Sequence, residues 1–566
     1  MTPTGMDRWE LRWARTPAQL GVDQQIVWRC LVPRRAIVAR HHPGPAPARG
    51  RLHDARPDRR TVGLPGRDPG RAPLTSRTRH TFACLAGALT LGLVLGIDTP
   101  WGPAIAPDST SYLNAAQSLV REGALRQPYS DWDAARAGAR LTDYAPGFSL
   151  ILAVPVAFGV RPTVAARWSE ALAAGGAVAI VFELVGILAG LGAAASTVLL
   201  LIAMPAMTEI HLWILSEPLF ILLTVATLAA MLLLPGRAWL HGLLAMLADL
   251  TRYAGIFLVG TVTLWQVLSP GTRRERLIRA ATALAPGALL QLWWQHDGVS
   301  PGGKISKDAF AGLGAALLEG TRTIEAWLVP GVPDGALRVG LAVALLLLLK
   351  WCGWRALLGA DRERRPFFLA ILLTSFCYVG MLVFARLHVV ADVPFDDRIL
   401  GPLFVVLTIG TVPTLAWRWR GWGIPLRAFA AIVAVAWLVG ALRHDFRSVS
   451  VARADGLGYE SAEWTGSPVS RWLADSAEGR TIYTNDPPGV WAVTGHAVHL
   501  LPSSLDPDTV RAFAARFGAA PSVIIGYDES FMPTASPHSL AGLLGLAPAA
   551  RSERGTAWVP PAPSPR

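Results

Sequence analysis

Asp108, Glu217, Arg252 and Arg398 are of the types that move protons or hold phosphate, and each lies at the edge of an apolar run. Asp108 sits in Pro107-Asp108-Ser109-Thr110-Ser111-Tyr112, just past the first such run. Residues 108–123 read as a helix, so the carboxylate either caps that helix or accepts a proton from a hydroxyl. Asp143 and Tyr144 open Asp143-Tyr144-Ala145-Pro146-Gly147-Phe148, whose Pro and Gly suit a turn at a headgroup boundary. Glu217, in Ser216-Glu217-Pro218, is either a helix-start acid complementing the dipole or a second functional carboxylate. Arg252, in Thr251-Arg252-Tyr253, places a guanidinium between two apolar helices. Unpaired it is costly there, so it meets either a phosphate or a structural partner such as Asp249 or Glu217. Arg386, His388, Asp392, Asp396, Asp397 and Arg398 crowd one short segment before Gly401-Pro402. Lys304 and Lys307 are further phosphate candidates.

The elements that must position these groups are apolar. The chain of 566 residues is 52% hydrophobic and 16% charged, with mean hydropathy +0.38. Soluble domains carry roughly 25% charged residues, so the deficit argues for lipid burial. Candidate spans are 80–97, 164–188, 193–211, 214–234, 238–252, 254–269, 277–295, 335–353, 366–385, 399–417 and 423–442, about 11 in all. Short-loop arginines set the orientation. Arg77 and Arg79, Arg237, Arg273 to Arg279, Arg355 to Arg365, and Arg418 to Arg427 share one side if 146–160 lies in the interface without spanning. The N-terminus is then expected in the cytoplasm. The candidate groups, the loop 98–163 and everything after Leu442 collect on the outer face.

Net charge is +12, with sixteen Arg against six acidic residues in 1–79, so the excess is a tail property and not a nucleic-acid surface. Rich in Arg, Pro, Gly and Ala, this tail is expected to be disordered, as a basic arm on anionic lipid or as an over-extended reading frame. Residues 80–442 form the expected transmembrane domain. After Leu442 the pattern turns to short strands at 481–484, 497–501 and 521–526 alternating with helices at 461–477 and 507–517. We therefore expect a small α/β domain over 443–566, with disorder from the Pro-rich end at Val559 onward. Cys30, Cys84, Cys352 and Cys377 form no CxxC, which argues against a disulfide framework or zinc site. Walker, GxGxxG and HExxH motifs are absent.

Taken in order, Asp108 to Tyr112, Tyr144-Ala145-Pro146-Gly147, Ser216-Glu217-Pro218, Thr251-Arg252-Tyr253 and Asp397-Arg398 resemble the GT-C superfamily of polytopic glycosyltransferases. The nearest groups are the dolichyl-phosphate-mannose-protein mannosyltransferases and the aminoarabinose transferases. The resemblance covers about 80–420 and implies a mainly α, polytopic GT-C-like fold in the plasma membrane. It implies a polyprenyl-phosphate-linked sugar as donor and an envelope glycan, lipid or protein as acceptor, with membrane lipid and no nucleic acid as further surroundings. Asp108 would be the catalytic base or an orienting group, and Glu217 the second catalytic carboxylate. Arg252 and Arg398 would bind the donor phosphate, and Tyr112, Asp143, Tyr144 and His388 would line the substrate site. The resemblance implies no certain cofactor, and Glu217 would bind the acceptor or an optional divalent cation.

Two other classes stay open on sequence. A transporter or flippase of a lipid-linked or anionic solute would carry charges at the midplane of several spans. Here Glu170, Glu183 and Asp249 are acidic groups inside runs. A non-catalytic assembly protein would use the outer domain as a binding module.

Overall fold

The computed structural model describes residues 76–295, 309–333, 335–358, 363–388, 394–419, 421–528 and 533–561. The tail at 1–75, Lys304, Lys307 and Asp392 lie outside them. Helix α1 (Ser76–Leu93) continues through a π turn at Val94–Asp98, and α2 (Pro107–Glu122) follows. A two-residue strand, β1 (Tyr129–Ser130), precedes α3 (Gly147–Ala157) and the long α4 (Pro162–Ala189). Helices α5 (Leu191–Ile202) and α6 (Pro205–Leu212) meet at a 54° bend. Pro205 explains the break, because it lacks an amide proton and disfavours a helical residue before it. Next come α7 (Glu217–Leu233), α8 (Ala238–Thr251), a 3-10 turn at Tyr253–Gly255 and α9 (Ile256–Leu268). The bundle closes with α10 (Arg273–Gln295), α11 (Ala309–Leu328), α12 (Ala336–Leu358), α13 (Arg365–His388), α14 (Asp397–Trp419) and α15 (Ile424–Asp455).

Each candidate span falls on a helix, but their reach differs. Among the described residues five helices are long and apolar enough to cross a membrane alone, namely α1 with its π turn, α4, α13, α14 and α15. The bent α5–α6 pair makes a sixth. Shorter apolar helices occupy 217–233, 238–251, 253–268 and 336–347, and α10 opens on the charged Arg273-Arg274-Glu275-Arg276. Helix α3 has 11 residues, about 16 Å at 1.5 Å per residue, which is too short to span.

Packing is close where side chains vanish. A Cβ on Gly87 of α1 would stand 2.7 Å from the Gly175 carbonyl oxygen of α4, so glycine lets the two backbones touch. Val181, Leu184, Phe220, Val225, Leu258 and Ile409 belong to the main apolar core. At one end of α4, Glu183 accepts from Arg79 Nε at 2.7 Å, which neutralises a carboxylate inside a spanning helix.

The remaining elements are α16 (Ala462–Thr465), α17 (Pro468–Ser476), β2 (Thr481–Thr484), α18 (Pro487–Thr494), β3 (Val498–Leu500), α19 (Pro507–Phe517), β4 (Ser522–Tyr527), α20 (Pro537–Leu543), β5 (Ala547–Arg551) and β6 (Gly555–Val559). The sheet order is β1-β3-β2-β4-β6-β5, with the first three pairings parallel and the last two antiparallel. Helices α17, α18, α19 and α20 each begin with Ser or Asp accepting from a backbone amide, followed by Pro, a strong start signal. One such start, Ser467-Pro468, splits the helix expected over 461–477 in two.

Three boundaries differ from the sequence reading. Helix α15 passes unbroken through residue 442 to Asp455, because the apolar run ends there while the backbone hydrogen bonding does not. Strand β1 comes from the segment between α2 and α3, pairing Tyr129 with Val498 and Ser130 with His499. The sheet is therefore not built from 443–566 alone. Val559 belongs to β6, opposite Ala547, and is not the start of a disordered end.

Candidate active site

Helix α2 begins one residue before Asp108, so Asp108 is in its first turn and does not cap it. Ser109 makes the cap contact, accepting from the Ala106 amide at 2.8 Å and donating to the Ile214 carbonyl at 2.7 Å. The Ala104 amide donates to Leu212 and the Ile214 amide to Ala104, which ties this segment to the residues before α7. Glu170 of α4, fully buried, accepts from the Leu215 amide at 2.6 Å. These bonds hold the first turns of α2 and α7 side by side.

The charged groups meet there. Glu217 is buried, with 1% of its side chain exposed, and both its oxygens accept from guanidiniums: Oε2 from Arg252 Nη1 at 2.5 Å and Oε1 from Arg398 Nε. Arg398 also donates through Nη2 to Asp108 Oδ2. It thus bridges two carboxylates that come from distant parts of the chain. Tyr144 donates its hydroxyl to Asp108 Oδ1 at 2.8 Å. Ser216 Oγ lies 3.0 Å from the Tyr112 hydroxyl and accepts from Arg252 Nη1 at 3.2 Å. Arg398 is the most open of the charged four, at 34% exposure against 17% for Asp108 and Arg252.

A ring of aromatic groups holds this cluster. Tyr112 packs edge-on against Tyr144 and Phe148, with centroids 5.2 and 5.3 Å apart. Gly147 seats α3 against α8, since a Cβ there would lie 2.6 Å from the Leu250 carbonyl oxygen. The Tyr253 hydroxyl donates to the Thr142 carbonyl at 2.9 Å and accepts from Trp294 Nε1 at 2.9 Å. Burial, before the neighbouring carboxylates, pushes both the Tyr112 and Tyr144 phenols well above their usual range. Both are therefore neutral at ordinary pH.

Asp108, Glu217, Arg252, Arg398, Tyr112 and Tyr144 are brought together; Asp143 and His388 are not. Asp143 accepts from the Tyr129 hydroxyl at 2.5 Å, beside the cluster. His388 stacks on Phe384 at the end of α13, with Nδ1 3.1 Å from the Phe384 carbonyl oxygen, and no described contact joins it to the cluster. One turn of helix separates that ring from its stacking partner, so local geometry accounts for its place. Asp249 accepts from Gln291 at 2.5 Å, leaving Glu217 as the partner of Arg252. Sequence reasoning gave no role to Glu170, although a carboxylate inside an apolar run was the signal. Among the described residues no three His, Cys, Asp or Glu groups gather as metal ligands. Glu217 has both oxygens on guanidiniums, so the donor set does not suit the divalent cation that the sequence left open.

No family model matches the chain, nor does any curated protein match it by sequence. Among solved structures it matches the arabinofuranosyltransferase AftD from Mycobacteria with a TM-score of 0.51 at 17% identity, over 87% of this chain and 40% of that one. The chain has the GT-C fold. Other GT-C matches are ArnT from Cupriavidus metallidurans bound to undecaprenyl phosphate, with a TM-score of 0.45, 14% identity and coverage of 85% and 98%. The Archaeoglobus fulgidus oligosaccharyltransferase in its apo form matches with a TM-score of 0.49, 12% identity and coverage of 80% and 69%. GT-C architecture and its apolar helices make this a helical membrane protein.

Proposed function

We propose that this protein is an inverting glycosyltransferase that moves one sugar from a polyprenyl-phosphate donor to a hydroxyl of an envelope glycan, lipid or protein. The observation that carries the reading is Arg398 held between Asp108 and Glu217, with Arg252 on the far oxygen of Glu217. Two carboxylates and two guanidiniums balance in charge, so an arriving phosphate must compete for the arginines. Arg398, the most open, is the group it meets. Drawing Arg398 toward the phosphate releases Asp108 Oδ2 to face the acceptor hydroxyl.

In the transfer the acceptor oxygen forms a bond to the anomeric carbon as the carbon–oxygen bond to phosphate breaks. The electron pair leaves with the polyprenyl phosphate, whose growing charge Arg252 and Arg398 stabilise. Asp108 takes the acceptor proton while Tyr144 orients it. Glu217, occupied on both oxygens, holds the arginines and is not free as a nucleophile, which favours a single displacement with inversion.

The site sits on the outer face of the plasma membrane in this reading, with the N-terminus cytoplasmic. Asp108→Asn tests it. The variant should insert and express normally and lose transfer by at least a thousandfold; full activity would end the assignment of that residue.

A further inference from the structure

A cavity of about 650 Å³ lies in the α/β unit and shares no residue with the carboxylate–guanidinium cluster. Its size is within the ~300–1,000 Å³ of small-molecule sites. Trp464 and Tyr527 stack in its wall with centroids 4.8 Å apart and planes at 27°, and Tyr459 meets Trp464 edge-on at 4.8 Å. Tyr527 is 7% exposed, yet its hydroxyl has no hydrogen-bond partner among the described residues, and neither has Trp464 Nε1. Asp486, 6% exposed, accepts from the Tyr459 hydroxyl at 2.9 Å and the Gly489 amide at 3.2 Å, both on Oδ1. Its Oδ2 makes no hydrogen bond among the described residues. An exposed Glu463–Arg554 pair at 2.8 Å forms part of the lining.

This cavity therefore offers aromatic surface, the free Asp486 carboxylate oxygen, the Trp464 indole donor and the Tyr527 hydroxyl, which both donates and accepts, with Asp528, Ser552 and Glu553 also in its lining. Buried polar groups left without partners are costly, so their presence points to an occupant that supplies them. A hydrocarbon tail would leave all three unsatisfied. An anion is opposed by Asp486 and Glu463, and a quaternary cation gives Trp464 Nε1 nothing to donate to. A sugar ring meets every demand: its C–H face lies on an aromatic ring, and its hydroxyls donate to Asp486 and accept from Trp464. The wall is also joined to the site segment, since the Tyr459 amide donates to the Ile105 carbonyl at 3.1 Å, three residues before Asp108.

We propose that this cavity is a saccharide subsite that holds a neutral sugar unit of the acceptor glycan, upstream of the hydroxyl that is glycosylated. The proposal deepens the transferase reading and rests on it for the word acceptor.

The test is isothermal titration of the full chain in lipid nanodiscs with neutral tetrasaccharides of glucose, mannose, galactose and arabinofuranose. Choline and inorganic phosphate serve as the competing chemistries. At least one tetrasaccharide should bind, and Trp464→Ala and Tyr527→Phe should each weaken it tenfold or more. Tyr527→Phe removes a hydroxyl that bonds nothing, so its melting temperature should hold or rise, which separates lost affinity from lost fold. Failure of all four sugars to bind, equal affinity in both cavity variants, or preference for choline or phosphate would overturn the subsite. Saccharide binding that survives while no polyprenyl-phosphate sugar supports transfer would instead sink the transferase reading.

Discussion

The Tyr144 hydroxyl donates to Asp108 Oδ1 across 2.8 Å, bringing the loop before α3 onto the first turn of α2. Arg398 takes the other oxygen, so the plane of the carboxylate is set by one neutral and one charged donor. Tyr144 is itself steadied by the Tyr253 hydroxyl, 3.3 Å from its carbonyl oxygen. If Asp108 is the base, this pair of contacts determines which way it faces when the acceptor arrives.

Tyr144→Phe should therefore lower kcat with little change in the KM for donor. A hydrogen bond to a charged group is worth about 1.5–3 kcal/mol, and about 1.4 kcal/mol is one decade of rate, so a loss of roughly ten- to a hundredfold is expected. Steady-state transfer with donor and acceptor varied separately reads both constants. A loss confined to KM would place Tyr144 in binding alone.

Glu217 lies between two guanidiniums and is almost wholly buried. Removing one partner of such a group strands the others, typically at about 3–5 kcal/mol. Glu217→Gln and Arg252→Gln should each lower the melting temperature in detergent. The double variant should be destabilised by clearly less than the two together, since each change removes the charge that the other left unpaired. Strict additivity would mean that the pair contributes nothing as a pair.

Asp486, in the α/β unit, carries the pH dependence. Burial pushes its carboxyl up to about 6 from an ordinary 3.8, against the opposing bonds from Tyr459 and Gly489. The folded form then holds a proton that the unfolded chain releases, so stability is greatest below about pH 4 and falls as pH rises through 6. The full change is on the order of 3 kcal/mol. Asp486→Asn should flatten this slope while keeping the cap on α18, because Asn caps as well as Asp. Hydrogen exchange over 481–500, compared between the two proteins from pH 4 to 7, measures it. Equal slopes would show that another group titrates.

Helix positions were legible because an apolar run is a local property: α1, α4, α13, α14 and α15 lie where hydropathy alone places them. Strands β2, β3 and β4 were readable for the same reason, β2 and β4 as short runs rich in β-branched and aromatic residues and β3 within the apolar stretch around Val498 and Leu500. Strand β1 was not, since two residues carry no periodicity and Tyr129–Ser130 becomes a strand only because β3 lies alongside. Helix α18 and strands β5 and β6 were also missed, being short, Pro-led or rich in alanine.

Residue types alone determined that carboxylates and guanidiniums stand at the ends of apolar helices, where water-loving groups must lie if lipid covers the rest. Which of them pair was decided only by tertiary packing. Arg252 could have met Asp249, but Asp249 bonds Gln291, and Glu217 takes Arg252. Arg398 reaches Asp108 across 290 positions of chain because α2, α7 and α14 bring their first turns to one point. A charge near lipid demands a partner, and that demand is written locally. The partner's identity depends on which helix ends converge, and that is a property of the packed bundle.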